Sequence, residues 1–215
     1  MTKFIKPYQY NIIEEQAITI TTSQRSVNDK QTVATLKALA IEKIMAEFPD
    51  ATTEQKELLM EPLNLGKTQR ELERYLMKVK TYVIPFKVPS DKGLQKVFAK
   101  TKKLSIPKWE EVDLAHQTFY GWNDSGKQRK YLISYQDNKL VGLEGTLSPD
   151  IKKGICAICH GTSGVSLFMA KGKVSKEGNY LTKGNYICHN SETCNRQLQS
   201  LNELNRFLKI VTPKK

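Results

Sequence analysis

Ile155-Cys156-Ala157-Ile158-Cys159-His160 and, further on, Asn185-Tyr186-Ile187-Cys188-His189-Asn190-Ser191-Glu192-Thr193-Cys194 decide how this chain is read. They hold all four cysteines of the protein within 39 positions. Two residues separate Cys156 from Cys159, 28 separate Cys159 from Cys188, and five separate Cys188 from Cys194. A two-residue spacing lets a tight knuckle present both sulfurs to one ion, and a second pair completes a tetrahedron. The alternative is two disulfides or four buried free thiols. A reducing compartment disfavours disulfides, and the spacing fits zinc. Four thiolates close the coordination sphere, so the expected Zn2+ is single and structural. His160 and His189 adjoin ligand cysteines and could each replace one, but four thiolates already suffice.

Working outward, Val165 to Met169 is apolar and strand-like, Gly172 to Gly178 is a lysine- and glycine-rich turn, and Tyr180 to Cys188 returns as a second strand. Leu198, Leu201, Leu204, Phe207 and Leu208 recur at helical spacing. Knuckle, hairpin, and a ligand at the start of a helix make a treble clef over about 154–210. The dipole of such a helix would favour the Cys194 thiolate.

Upstream, residues 115–122, 129–136 and 139–147 read as strands. Asn123 to Gly126 and then Asp137-Asn138 form the turns, and Tyr131, Ile133 and Tyr135 share one face. Ser90 caps a helix candidate carrying Leu94, Val97 and Phe98, with Pro107 ending that segment. Pro85 and Pro89 mark a break. Before it, Val33, Leu36, Ala40, Ile44 and Phe48 form one helical stripe, capped by Ser26 or Asn28. Leu72, Tyr75, Leu76, Val79 and Val83 form another. Thr53 to Leu63 is a shorter helix capped by Thr52 or Thr53. Residues 8–22 are read as helix despite the β-branched run Ile18 to Thr22, because antiparallel helices would bury one another's stripes. The expected fold is α+β: a helical bundle over 1–83, then an α/β domain over 84–215 containing the four-cysteine treble clef.

The 215 residues carry a net charge of +12. Residues 1–83 hold 12 Lys/Arg and 11 Asp/Glu, so the other 22 Lys/Arg and 11 Asp/Glu fall in the remainder. A basic C-terminal part admits nucleic acid, an anionic surface or an acidic protein face as partner, or simply a solvated lysine coat. No apolar run approaches the ~18 residues of a membrane span, and MTKFIKPYQYNII lacks a signal-peptide core. A cytoplasmic monomer that does not engage membrane is expected.

No catalytic residues are assigned. Gly121 to Lys127 opens like a P-loop, but Gln128 replaces the magnesium-binding Ser/Thr and a strand pattern follows where a helix is needed. His116 falls in a strand pattern as a surface or packed histidine. Trp109, Phe119 and Trp122 read as core rather than as a base-stacking platform.

An ordered set of short matches spans nearly the whole chain: Pro7-Tyr-Gln-Tyr10, Val27-Asn-Asp-Lys30, Val83-Ile-Pro-Phe86, Leu94-Gln-Lys-Val-Phe98, Gly121-Trp-Asn123, Arg129-Lys-Tyr131, Val165-Ser-Leu-Phe-Met169 and Lys183-Gly-Asn-Tyr-Ile-Cys188. In these the sequence resembles the FusB/FusC-type fusidic acid resistance proteins, which bind elongation factor G. The resemblance implies a helical bundle followed by a treble-clef domain that binds the factor. Fusidic acid traps that factor on the ribosome after GTP hydrolysis, and the family promotes its release without altering the drug. It also implies partner contacts at Lys183, Tyr186 and Phe207. Ile155 stands where the FusB type has phenylalanine, with less area and no aromatic face. Direct binding of ribosomal RNA by the basic zinc module is the competing reading, and a zinc enzyme is a third.

Overall fold

The computed structural model describes residues 1–170 and 183–211. The Gly172–Gly178 turn and the first residues of the returning strand lie outside the described residues. The chain divides into two compact units, Met1–Pro85 and Phe86–Lys215.

The first unit is helical: α1 (Pro7–Ser26), α2 (Lys30–Ala46), α3 (Thr53–Met60) and α4 (Gln69–Lys80). Helix α1 packs on both α2 and α4, so it buries Ile12, Ile13, Ala17 and Ile20 together with Gln9, Asn11 and Gln16. Burial on two sides explains why the β-branched run stays helical, since tertiary packing outweighs a few tenths of a kcal/mol of propensity per residue. Thr19 and Thr21 return their hydroxyls to Glu15 O and Ala17 O within the helix. The α2 cap is Asp29, not Ser26 or Asn28. Its carboxylate accepts from Gln31 N and Thr32 N, and helix α1 runs on through Ser26. Thr52 and Thr68 each close a capping box, with Gln55 and Glu71. A parallel bridge between Ile5 and Val83 ties the two ends of the unit.

The second unit begins with α5 (Asp91–Val97), capped by the Ser90 hydroxyl. It stops well short of Pro107. Lys100, Lys102 and Lys103 lie beyond it, and Lys103 has positive φ. Helix α5 lies against Gly142, where a Cβ would meet the Val97 and Phe98 side chains at about 3.0 Å. Among the described residues six strands follow: β1 (Tyr120–Asp124), β2 (Arg129–Gln136), β3 (Lys139–Leu147), β4 (Lys152–Ile155), β5 (Thr162–Ala170) and β6 (Gly184–Cys188). They form one sheet in the order β1-β2-β3-β5-β4, with β6 also paired to β5, and every pair is antiparallel. Asp137 and Asn138 both have positive φ, as a two-residue hairpin turn requires, and fix the β2–β3 register at Gln136↔Lys139.

Alternation along β2 divides the core. Leu132 joins Leu143, Phe168, Ile187, Leu204, Phe207 and the cysteines on one side. Tyr131 and Ile133 join Phe86, Leu94 and Phe98 on the other. The strand expected over 115–122 begins only at Tyr120. Leu114–His116 is a single 3-10 turn, and His116 is packed inside. The C-terminal helical stripe is broken at Leu198, giving α6 (Ser191–Gln197) and α7 (Leu201–Val211).

Asn195 explains how α6 is fixed to the sheet. It is fully buried. Its Oδ1 accepts from Thr118 N (2.8 Å) and Phe119 N (3.2 Å), and its Nδ2 donates to Phe119 O (2.8 Å) and Ser191 O (2.9 Å). Asn195→Ala strands three backbone groups of the 118–119 segment. It should lower unfolding stability by about 3 kcal/mol in denaturant titration; a loss under 1 kcal/mol would show that solvent replaces the amide.

Candidate metal centre and the surface around it

The knuckle forms because Cys156 N donates to Gly161 O and His160 N returns to Cys156 O, with His160 in the left-handed region. Strand β6 delivers Cys188, paired opposite Val165, and α6 delivers Cys194. The four sulfurs lie within 4.8 Å of one another. Cys156 Sγ is 3.7 Å from Cys194 Sγ, and Cys159 Sγ is 3.6 Å from Cys188 Sγ. A tetrahedron with Zn–S bonds of about 2.3 Å has edges of about 3.8 Å, whereas a disulfide needs about 2.05 Å. The donor set therefore fits zinc.

Two backbone N–H groups, of Ile158 and Cys188, donate to Cys156 Sγ at 3.3 Å. Hydrogen bonds from Cys159, Cys188 and Cys194 hold Cys156 far below the ordinary thiol range, and the bond to Cys156 holds Cys159 and Cys194 above it. A divalent ion relieves this competition by taking all four as thiolates. Cys194 sits at the fourth position of a seven-residue helix, and the N–H donors that reach the cluster go to Cys156 instead.

Neither histidine joins the cluster. His160 Nε2 lies 3.1 Å from Glu203. His189 Nδ1 meets Ser166 Oγ at 2.9 Å, and that hydroxyl donates to Asp150 O, so Nδ1 carries the proton.

Lys130 is the residue that sequence reasoning missed. It lies in the apolar strand β2 and is 1% exposed. Its Nζ bonds His189 O at 2.8 Å and Asn123 Oδ1 at 2.9 Å, which fixes the segment between Cys188 and Cys194. Burial pushes its ammonium down to about 8, against the upward pull of Cys194, Cys188 and Cys156. Four thiolates around one divalent ion leave excess negative charge, which a buried ammonium offsets. Lys130→Met keeps the volume and removes the charge and both bonds. It should weaken zinc retention against a competing chelator by about tenfold, and unchanged retention would exclude the charge role. No sequence signal marked it, because Arg129-Lys130 opens β2 like any charged strand end.

The expected partner residues stand at different distances from this centre. Ile155 immediately precedes the first ligand and is 69% exposed. Tyr186 is 42% exposed and shares the Cys188 face of β6 by the two-residue repeat. Its carbonyl accepts from Ala157 N of the knuckle. Lys183 is exposed, and its carbonyl accepts from Ala170 N. It stands about 16 Å along the strand from Cys188. Phe207 is only 3% exposed and packs on Phe168 at 6.2 Å, so it is chiefly a core residue. Part of it still reaches a cleft of about 310 Å³ walled also by Ile155, Ala157, Arg206 and Ile210. Ile210, 50% exposed, was not singled out from sequence. It lies on α7 off the buried stripe of Leu204, Phe207, Leu208 and Val211, and an isoleucine there was its signal.

Among the described residues no helix is long and apolar enough to cross a membrane. No curated protein matches the chain. The N-terminal region of elongation factor G-binding proteins matches residues 4–87, and the FBP C-terminal treble-clef zinc-finger matches residues 95–209. The structure of the fusidic acid resistance protein FusC aligns with a TM-score of 0.86 at 31% identity, covering 98% of each chain. A treble clef shared over that length, with four sulfurs at zinc spacing, makes the metal a structural zinc. By its two matched regions and its agreement with FusC along almost all of its length, the chain belongs to the elongation factor G-binding family of treble-clef zinc-finger proteins.

Proposed function

We propose that this protein binds elongation factor G through the zinc-braced surface of its second unit, promotes release of the factor from the ribosome, and so protects translation from fusidic acid. The observation that carries the reading is the strip of exposed apolar side chains, Ile155, Tyr186 and Ile210: the first two stand one and two residues from zinc ligands, and Ile210 walls one cleft with Ile155. Apolar and aromatic anchors on a preorganised surface are what a protein interface uses. Lys183 and the surrounding basic charge speed encounter with an acidic partner. Release follows if the bound protein favours the loosened state of the factor, since a ligand shifts an equilibrium only by its differential affinity. The protein acts as a cytoplasmic monomer by binding, without chemistry on the drug, and its two units fold as separate domains near 1–83 and 84–215.

Co-elution of the zinc-loaded protein with purified elongation factor G in nuclease-treated, RNA-free buffer tests this. A 1:1 complex supports it; free elution of both sinks it. Binding to naked ribosomal RNA instead, with the steep salt dependence of phosphate contacts, would favour the competing reading that the +11 charge on residues 84–215 keeps open.

A further inference from the structure

The lysine run at the end of α5 lies away from the zinc centre. Leu94 and Phe98 pack with Tyr131 and Ile133 on one face of the sheet, whereas the cysteines and Phe207 pack with Leu132 on the other. The solvent side of the α5 segment is cationic. Lys92, Lys96, Lys100, Lys102 and Lys103 are all exposed, against a single acidic residue, Asp91. No arginine, aromatic or large apolar side chain is exposed in the same stretch, residues 91–103. Among the described residues none of the five lysines has a carboxylate partner.

This surface is held in place although it repels itself. Lys92 and Lys96 stand four positions apart on a seven-residue helix, where like charges disfavour the helix. Lys103 adopts a left-handed φ of 51°, unfavourable for a residue with a side chain. Two bonds fix the run to the sheet. Thr101 Oγ1 donates to Glu144 Oε2 at 2.6 Å, and Lys127 Nζ donates to Lys103 O at 3.2 Å. Lys127 ends the turn that opens like a P-loop. Its backbone N–H is taken by Asp124 Oδ1 at 3.1 Å, and its ammonium lies 3.0 Å from Asp124 Oδ2. The turn thus braces the lysine run and has no free donor at Lys127 for a phosphate of its own.

The make-up of the surface selects the partner. Protein interfaces are enriched in aromatic residues and arginine and depleted in lysine. A helix that lies in a membrane surface needs an exposed apolar face, and that of α5 is spent on the sheet. Exposed lysine point charges without apolar anchors are what neutralises a phosphate backbone. We propose that the α5 lysine surface binds the phosphate backbone of RNA, while the opposite, zinc-bearing face is left for the protein partner. That the nucleic acid is RNA rests on the proposed action at the ribosome; the phosphate chemistry does not.

The test titrates a fluorescein-labelled RNA hairpin with the zinc-loaded full chain, read by anisotropy between about 50 and 200 mM salt. Saturable binding is expected, with log K falling linearly with log salt. The Lys96→Gln, Lys100→Gln, Lys102→Gln triple variant should lower that slope by about three and weaken binding by more than about tenfold at 100 mM salt. A control, Lys152→Gln, Lys153→Gln, Lys209→Gln, removes the same charge from exposed positions on β4 and α7 and should leave the slope unchanged. Zinc content and thermal melting verify that both variants are folded. No saturable binding by the parent, equal weakening by the two variants, or binding to phosphatidylserine vesicles but not to the hairpin overturns the proposal. In a second arm, the preformed complex with elongation factor G should bind the hairpin as tightly as the free protein does. Competition between the two would overturn their placement on opposite faces. If the parent forms no complex with the factor, the proposed function fails while the RNA titration still decides the lysine surface.

Discussion

Cys156→Ser should abolish stoichiometric zinc and melt the treble clef, the largest effect expected of any single substitution in this chain. Zinc binding free energy is folding free energy in such modules, of order 10 kcal/mol in isolated zinc peptides. Cys156 is the ligand with most to lose. It is fully buried, it accepts two backbone N–H bonds, and it belongs to the core cluster that includes Phe168, Ile187, Leu204 and Phe207. Losing the ion therefore leaves like-charged or protonated sulfurs inside an apolar core and frees β4, β6 and α6 together. Native mass spectrometry should show the missing zinc. Hydrogen exchange should show lost protection over 152–170 and 184–211, with helices α1 to α4 still protected. Cys159→Ser should be milder, because Cys159 is only half-buried at the edge of the cluster. Retention of one zinc per chain with unchanged protection in the Cys156 variant would exclude this account of the core.

How much of this was visible in the sequence differs by element, for physical reasons. The helical stripes and the β2–β3 hairpin were legible because their signals are local: one period, one turn, one cap. The cysteine cluster was legible although its members are far apart, since thiolate spacing encodes a tetrahedron. The last helix was not read correctly. Its stripe continues across Leu198, but the chain breaks there, and Leu198 is buried in the core rather than on a helix face. The strand expected from residue 115 failed for a similar reason. Thr118 and Phe119 spend backbone groups on Asn195, 76 or 77 positions away, instead of on a neighbouring strand. Lys130 and Asn195 were illegible because their roles exist only after β1, β2 and α6 have met. Short β4 gave no pattern at all, its four residues being held by pairing with β5.

Ile155→Ala combined with Tyr186→Ala should weaken the complex with elongation factor G by roughly 100- to 1,000-fold, near 3–4 kcal/mol, in the range of interface anchors. Both side chains are exposed in the free protein and absent from its core, so the same variant should keep its zinc and melt within a degree or two of the parent. That separation of binding from stability is what makes the pair informative. Phe207→Ala cannot give it: Phe207 packs on Phe168, and truncating a buried phenylalanine costs about 3–5 kcal/mol of stability whatever it does to binding. Lys183→Ala should act differently again. An exposed lysine contributes mainly to encounter, so its loss should lower the association rate and flatten its dependence on salt while changing dissociation little. Substitution in the opposite direction sharpens the case. Ile155→Phe adds an aromatic face beside the knuckle, and if this position lies at the centre of the contact it should tighten the complex, by about 1 kcal/mol for the added apolar area. Isothermal titration with the purified factor reads the affinities of the other variants, and stopped-flow mixing at several salt concentrations reads the Lys183 rates. A double alanine variant that binds like the parent would move the interface off this strip, and a phenylalanine that weakens binding would place Ile155 in a space already filled by the partner.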